Sequence, residues 1–409
     1  MTPPVQPLIK PPLRRRLFIA GVLALAALLV FLRPGVEHSP WTMFRLFHAD
    51  VRVENFRQME RVFPARELRP ATAPQPFPQR KGVLPATYAF KGEQRHIGDF
   101  LTRTQTTGLL VLKDGAVVHE EYRLGADATS RFTSWSVAKS VVATLVGIAV
   151  KEGSIRSLDD TVASYVPDYA GSAWASVRVR DLLRMASGIE FSEVYGAQFS
   201  DIQRVFHKTY LLGQPIDAAV RDYPAAAGEQ PPGSRFHYIS IDTQVLANVL
   251  RHATGESLID YAQTRLWQPL GMQDTALWNV DGEGTAMAFC CLNATLRDYA
   301  RLGQLYLQDG NWNGQPLLPA DWVRESTRRP EPWLAAGTAT AERGYGYHWW
   351  VPPAAAGEFF ANGIWGQVVW VDQPRGVVIV RTAVDPAFEP HTAEMIAAMR
   401  GIARGLVLP

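Results

Sequence analysis

The chain predicts an α+β fold in which an antiparallel sheet flanked by helices is interrupted by an all-helical domain. Three observations carry that prediction. Strand-like segments lie at both ends of the region from about Gly98 to the C-terminus, a long block of helical periodicity separates them, and an amphipathic helix closes the chain. With 409 residues, 47% of them hydrophobic, there is enough apolar material for one large domain or two closely packed ones. The formal net charge is +2, and beyond the N-terminus no basic cluster is interleaved with aromatics, which argues against a nucleic-acid surface and for a small-molecule partner.

Taken in order, the first element is Leu17 to Leu32, an uncharged run preceded by Lys10 and Arg14 to Arg16 and ended by Arg33 and Pro34. Basic residues ahead of such a run keep the N-terminus in the cytoplasm. Residues 1–33 are therefore expected to form a cytoplasmic stub and a transmembrane anchor, with the rest of the chain periplasmic on a bacterial inner membrane. A cleaved export signal is the competing reading; against it, no convincing small-x-small cleavage site follows the apolar run before Arg33. Residues 34–97 are rich in proline and arginine and read as an extended connector. From residue 98 onward a single folded domain is expected. Its first element is a hairpin over Gly108 to Gly125, with Asp114-Gly115 at the turn.

A helix of at least four turns follows in TSWSVAKSVVATLVG (Thr133 to Gly147). A helical subdomain is then expected over about 155–343, several of its helices closing on glycine. Strands return at Tyr345 to Val351, Gly366 to Asp372 and Gly376 to Val384, before a helix over His391 to Leu406. The two cysteines, Cys290 and Cys291, are adjacent, so no ordinary unstrained disulfide is expected between them and they read as small buried hydrophobes. No metal-ligand spacing or phosphate-cradling glycine loop occurs, so no metal or cofactor is expected.

Chemistry enters with Ser136 and Lys139. Residues three apart at a helix start share a face, so the two side chains can touch. A serine hydroxyl is too weak an acid to attack a carbonyl unaided, and a lysine base must be neutral to help it. Val137, Ala138, Val141, Val142 and Leu145 surround the ammonium with apolar groups, and desolvation is what lowers a lysine pKa. The competing reading, a capping serine beside a solvated lysine, fits less well, because this is the chain's one S-x-x-K and it sits inside an apolar helix.

Two later segments supply partners. In PPGSRFHYIS (Pro231 to Ser240) a turn sets Tyr238 on a constrained loop, where a phenol can relay a proton, and Ser240 can add a hydrogen bond. His237 beside it reads as a packing or cleft-wall residue. In FFANGIWGQVVWVD (Phe359 to Asp372), Gly363 and Gly366 let the backbone approach a ligand, and the N–H of Ile364 can join that of Ser136 in an oxyanion hole.

In this order, SVAK, PPGSRFHYIS and ANGIWGQ resemble the serine β-lactamase and penicillin-binding superfamily, with coverage from about Gly98 to the C-terminus. FSEVYG (Phe191 to Gly196), LNATLRDYARLGQLYL (Leu292 to Leu307) and GIWGQVVWVD (Gly363 to Asp372) bring it nearest to the branch of β-lactamase-related esterases and amidases that includes 6-aminohexanoate-dimer hydrolase. The resemblance implies a β-lactamase/DD-peptidase-like fold, Ser136 as nucleophile, Lys139 as base, Tyr238 as proton relay, and the Ser136 and Ile364 N–H groups as oxyanion hole. It also places Glu193 and Tyr195 on a loop over the substrate cleft, with Ser240, Gly363, Trp365 and Gly366 completing the expected substrate-binding set.

One departure is informative. Members that act on β-lactams or D-Ala-D-Ala peptides usually carry a Lys-Thr-Gly element whose cation holds the substrate carboxylate; here the segment reads Ala361-Asn362-Gly363, and no lysine follows Lys208. Losing a close charge pair costs on the order of 2–5 kcal/mol of binding. A serine hydrolase of esters or linear amides, such as aminohexanoate oligomers, is therefore expected. The alternatives are a weak β-lactamase or cell-wall D-Ala peptidase, and a non-catalytic binding module, against which the intact Ser136, Lys139 and Tyr238 argue.

Overall fold

The computed structural model describes residues 13–31, 36–195, 200–228, 230–328 and 331–408. The hairpin forms as strands β1 (Thr106–Lys113) and β2 (Ala116–Tyr122). Asp114 (φ 52°) and Gly115 (φ 79°) both take the left-handed backbone that a tight two-residue hairpin turn demands. The C-terminal part adds β3 (Gly344–Tyr345), β4 (Trp350–Val351), β5 (Glu358–Gly363), β6 (Gln367–Asp372) and β7 (Val377–Ala383). All seven join one antiparallel sheet in the order β3-β4-β5-β6-β7-β1-β2, closed by pairs such as Val380 with Leu110. The segment expected as one strand over 345–351 is two short ones, because His348 turns to φ 58° between them.

Both faces of the sheet are covered, which is why its strands read as continuous apolar runs. Leu110, Leu112, Val369, Val371, Val378 and Val380 point into one core, and Leu109, Val111, Val368, Trp370, Val377 and Ile379 into the other. Among the described residues five helices run to twelve residues or more: α1 (Leu13–Phe31), α2 (Val137–Glu152), α3 (Ser240–Thr254), α4 (Leu296–Leu307) and α5 (Thr392–Gly405). Helices α2 and α4 lie on the first face; α5 and the short helix Ile97–Arg103 cover the second. Each fully buried Val, Leu or Ile contributes about 1.5–3 kcal/mol, so this double layer is the main source of stability.

The helical block packs around α3 and includes Val179–Leu183 and Leu258–Ala262, the latter running on into a wider turn at Gln263–Trp267. It is not all helical. Ala276–Asn279 and Leu292–Ala294 pair with each other and extend into a four-stranded sheet with Ala65–Leu68 and Phe132–Thr133. The proline-rich stretch before the domain is thus only partly extended. It forms helices Pro40–Phe44, Arg52–Asn55 and Met59–Val62, and it buries Met59, Val62 and Leu68 completely. Pro40 sits in the first turn, where its missing N–H costs nothing, and Ser39 Oγ caps the Thr42 N–H at 3.2 Å.

Two further expectations are corrected. Among the described residues no helix is long and apolar enough to cross a membrane. Three arginines occupy the first turn of α1, and the uncharged remainder, Leu17–Phe31, reaches about 22 Å at 1.5 Å per residue, short of the roughly 30 Å hydrocarbon layer. The expected stub at 1–12 and the end of the run at 32–33 lie outside the described residues. Cys290 and Cys291, although buried as expected, are joined to each other in a disulfide, which is accommodated at a turn where Cys291 takes φ 71°.

Candidate active site

Strand β5 ends against the turn that opens α2. A Cβ on Gly363 would stand 2.4 Å from the Ser134 carbonyl oxygen and 3.1 Å from the Ser136 nitrogen, so only glycine lets the two backbones approach this closely. The contact sets Ile364, the next residue, beside the N-terminal end of α2. Both flanks of the contact carry left-handed tryptophans, Trp135 at φ 43° and Trp365 at φ 63°. For bulky residues this conformation costs on the order of 1–3 kcal/mol and persists only under strong packing. Phe47 and Phe56 supply it. Phe47 stacks on Trp365 (5.5 Å, 6°) and on Trp135 (5.5 Å, 29°), while Phe56 meets both edge-on. The Arg52 guanidinium lies 5.3 Å over the Trp365 ring.

Ser136 occupies the N-cap position of α2 and is half-buried, and one turn on Lys139 is almost fully buried at 1% exposure. Its Nζ donates to Ser136 Oγ (2.8 Å), Ser240 Oγ (2.9 Å) and the Phe289 carbonyl (3.0 Å), so all three ammonium protons are used. Burial brings its pKa down to about 8, against the opposing pull of Glu193. The Tyr238 ring centre lies 5.0 Å from the ammonium. Burial and Glu193 push its phenol well above the usual tyrosine range, while the nearby Ser136 hydroxyl and the Arg343 charge offset part of the rise.

Glu193 does more than lie over the cleft. It accepts from Ser240 Oγ at 2.5 Å and from the Ser240 N–H and the Tyr195 hydroxyl, tying the loop to the start of α3. A continuous hydrogen-bonded path therefore runs from Ser136 through Lys139 and Ser240 to Glu193 and Tyr195. Burial and the adjacent Glu193 raise the Tyr195 phenol strongly. Gly366 follows Trp365 at φ 90°, packed on the guanidinium of Arg381. His237 is exposed and engages this region through its backbone N–H, which donates to the Met185 carbonyl at 2.8 Å.

The structure thus gathers Ser136, Lys139, Tyr238, Ser240, Glu193 and Tyr195, with Gly363 against the turn that carries Ser136, whereas Trp365 packs on Phe47 and Phe56 and Gly366 on Arg381. Several neighbours were not anticipated. The Phe289 carbonyl that holds Lys139 comes from the residue just before the cysteine pair. His348 is buried between Thr243 Oγ1 (3.1 Å) and the Tyr345 hydroxyl (3.3 Å), its pKa pushed down to about 3 by burial and the Lys139 charge, so it is neutral. The aromatic wedge of Phe47 and Phe56 did leave a signal, since Phe56, Met59, Val62 and Phe63 recur at helical spacing within the arginine-rich stretch.

The Beta-lactamase family matches residues 94–403 of this chain. The chain belongs to the β-lactamase family. It is a serine hydrolase of that family. Among characterised family relatives, 6-aminohexanoate-dimer hydrolase of Paenarthrobacter ureafaciens is 30% identical over 317 residues, covering 74% of this chain and 78% of that protein. Esterase EstB of Burkholderia gladioli is 28% identical over 159 residues, 38% of this chain and 40% of the esterase. A solved structure from Bacillus anthracis, named "Putative 6-aminohexanoate-dimer hydrolase", superposes with a TM-score of 0.79 at 24% identity over 90% of this chain and 97% of that one. That likeness establishes the β-lactamase-type α+β fold over nearly the whole molecule.

Proposed function

We propose that this chain hydrolyses esters and linear amides through an acyl-enzyme on Ser136. The observation that carries the reading is Lys139, a buried lysine bonded to the Ser136 hydroxyl with a pKa near 8. In this reading Lys139, when neutral, takes the Ser136 proton as Oγ attacks the substrate carbonyl. The oxyanion formed is met by the N–H groups of Ser136 and Ile364, which the close approach of Gly363 draws together. Tyr238 passes a proton to the departing oxygen or nitrogen as the scissile bond breaks. Water then attacks the Ser136 ester by the reverse relay, releasing the acid and restoring the serine. Glu193 and Tyr195, with Ser240, Gly363, Trp365 and Gly366, line the substrate in this scheme.

Support for linear amides comes from the similarity to 6-aminohexanoate-dimer hydrolase, and for esters from that to EstB. The test is hydrolysis of p-nitrophenyl hexanoate by the wild type and by Ser136→Ala. Loss of about 10³-fold or more in kcat/KM is expected; equal turnover by the variant would refute the nucleophile. Labelling by a fluorescent penicillin comparable to that of a cell-wall peptidase would favour the alternative reading. Residence of the catalytic domain outside the cytoplasm is also part of this proposal, and it rests on Arg14 to Arg16 standing ahead of the apolar part of α1. Recovery of the enzyme only in the cytoplasmic fraction of bacterial cells would overturn it.

A further inference from the structure

With alanine at position 361, β5 offers no cation to a charged substrate. The neighbouring edge of the sheet does. Arg343, immediately before β3, is held in a turn in which its N–H donates to Thr340 Oγ1 (3.1 Å) and its carbonyl accepts from the Thr340 hydroxyl (2.8 Å). The guanidinium carbon lies 3.9 Å from the centre of the Trp350 ring, and Tyr238 stacks on the same indole at 5.5 Å and 24°. Arginine and catalytic phenol are therefore fixed against one aromatic plate.

The guanidinium is unusual in what it lacks. Its Nη1 is buried without a hydrogen-bond partner, and among the described residues no carboxylate comes within ion-pair distance of it. Arg343 is half-buried as a residue, and the fully buried arginines, by contrast, are bonded: Arg301 to Asp298 and the Arg297 carbonyl, Arg381 to Thr104, Thr106 and the Gly366 carbonyl. Glu342 and Glu389 act on Arg343 only at longer range, and both are exposed. A buried donor left unsatisfied is destabilising, a cost that an arriving acceptor removes.

We propose that Arg343 is the anion-binding residue on the leaving-group side of the cleft, and that preferred substrates carry a carboxylate on the fragment released when Ser136 is acylated. The side follows from Tyr238, which in the proposed function protonates that same fragment, and the inference rests on that reading. The guanidinium fork presents paired N–H groups to a carboxylate. The substrate class is then N-acyl or O-acyl derivatives of short amino or hydroxy acids. The scissile C–N or C–O bond breaks, the Tyr238 proton goes to the departing nitrogen or oxygen, the acyl group stays on Ser136 until water removes it, and the carboxylate on Arg343 takes no part in bond making.

The test compares matched substrates on one preparation, so that the amount of folded enzyme cancels. N-hexanoyl-6-aminohexanoate is paired with its terminal carboxamide, and the O-hexanoyl ester of 6-hydroxyhexanoate with its carboxamide. The wild type should prefer the carboxylate by about tenfold or more in kcat/KM. Arg343→Gln should bring that ratio toward one, and Arg343→Lys should restore part of it. An unchanged ratio in Arg343→Gln overturns the proposal, as does equal turnover of both members by the wild type. If p-nitrophenyl hexanoate is hydrolysed through Ser136 while the ratio stays flat, Arg343 alone is wrong. If no Ser136-dependent hydrolysis of that ester is found, the parent reading fails and takes this one with it.

Discussion

In the proposed reaction Lys139 accepts the Ser136 proton only in its neutral form, so its pKa sets the pH at which that reaction runs. With a pKa near 8, about one molecule in ten is competent at pH 7. The kcat/KM for an uncharged ester should therefore rise nearly tenfold per pH unit below 8 and level off above it. A lysine in its ordinary range would give a profile still climbing at pH 10, and that result would remove Lys139 as the base. The sign of a second effect is equally fixed. Glu193 pulls the Lys139 pKa upward, so Glu193→Gln should shift the inflection to lower pH, whatever it does to the maximal rate. An inflection that stays in place would show that the Glu193 charge does not reach the lysine.

At the scale of elements, the proposed oxyanion hole depends on β5 lying hard against the turn that carries Ser136. Gly363 itself has an ordinary extended backbone, φ −119°, so Gly363→Ala brings no conformational penalty of its own. Its Cβ would nevertheless collide with the Ser134 carbonyl, and the strand must move away from the Ser136 nitrogen. Ester hydrolysis should fall about 10²-fold, as for other displacements of about 1 Å at a reacting centre. Retention of more than a third of wild-type kcat would show that this approach is not what positions the site.

The same elements show why some of the structure was legible in the sequence. Strands β1, β6 and β7 are buried on two faces and read as apolar runs, and the period of α3 and α4 stands out over three turns or more. Ala276–Asn279 and Leu292–Ala294 were missed because strands of three or four residues carry no periodicity and sit in a helical block. Within the candidate site, the proximity of Ser136, Lys139 and Tyr238 was readable because the chemistry proposed for them demands particular side chains at particular spacings. The Phe289 carbonyl was not, since every residue has one. The bond from Ser240 to Glu193 spans 47 residues of chain, and no local pattern encodes it.

On the scale of the whole molecule, residues 36–97 are part of the catalytic domain rather than a tether to it. Ala65–Leu68 form the outer strand against Ala276–Asn279; Met59, Val62 and Leu68 are fully buried; and Phe47 and Phe56 hold the two strained tryptophans that flank the contact between Gly363 and the Ser136 turn. Removing three such core side chains and Phe56 together forfeits roughly 6–12 kcal/mol, comparable to the whole stability of an ordinary domain. A chain beginning at residue 36 should therefore melt cooperatively and hydrolyse p-nitrophenyl hexanoate, whereas one beginning at residue 98 should be insoluble or melt at least about 10 °C lower. Circular dichroism melts of the two chains, with ester assays on the same samples, check this directly. If the shorter chain matched the longer one in both, the aromatic wedge would be incidental packing, and the strain at Trp135 and Trp365 would have to be sustained by the sheet and α2 alone.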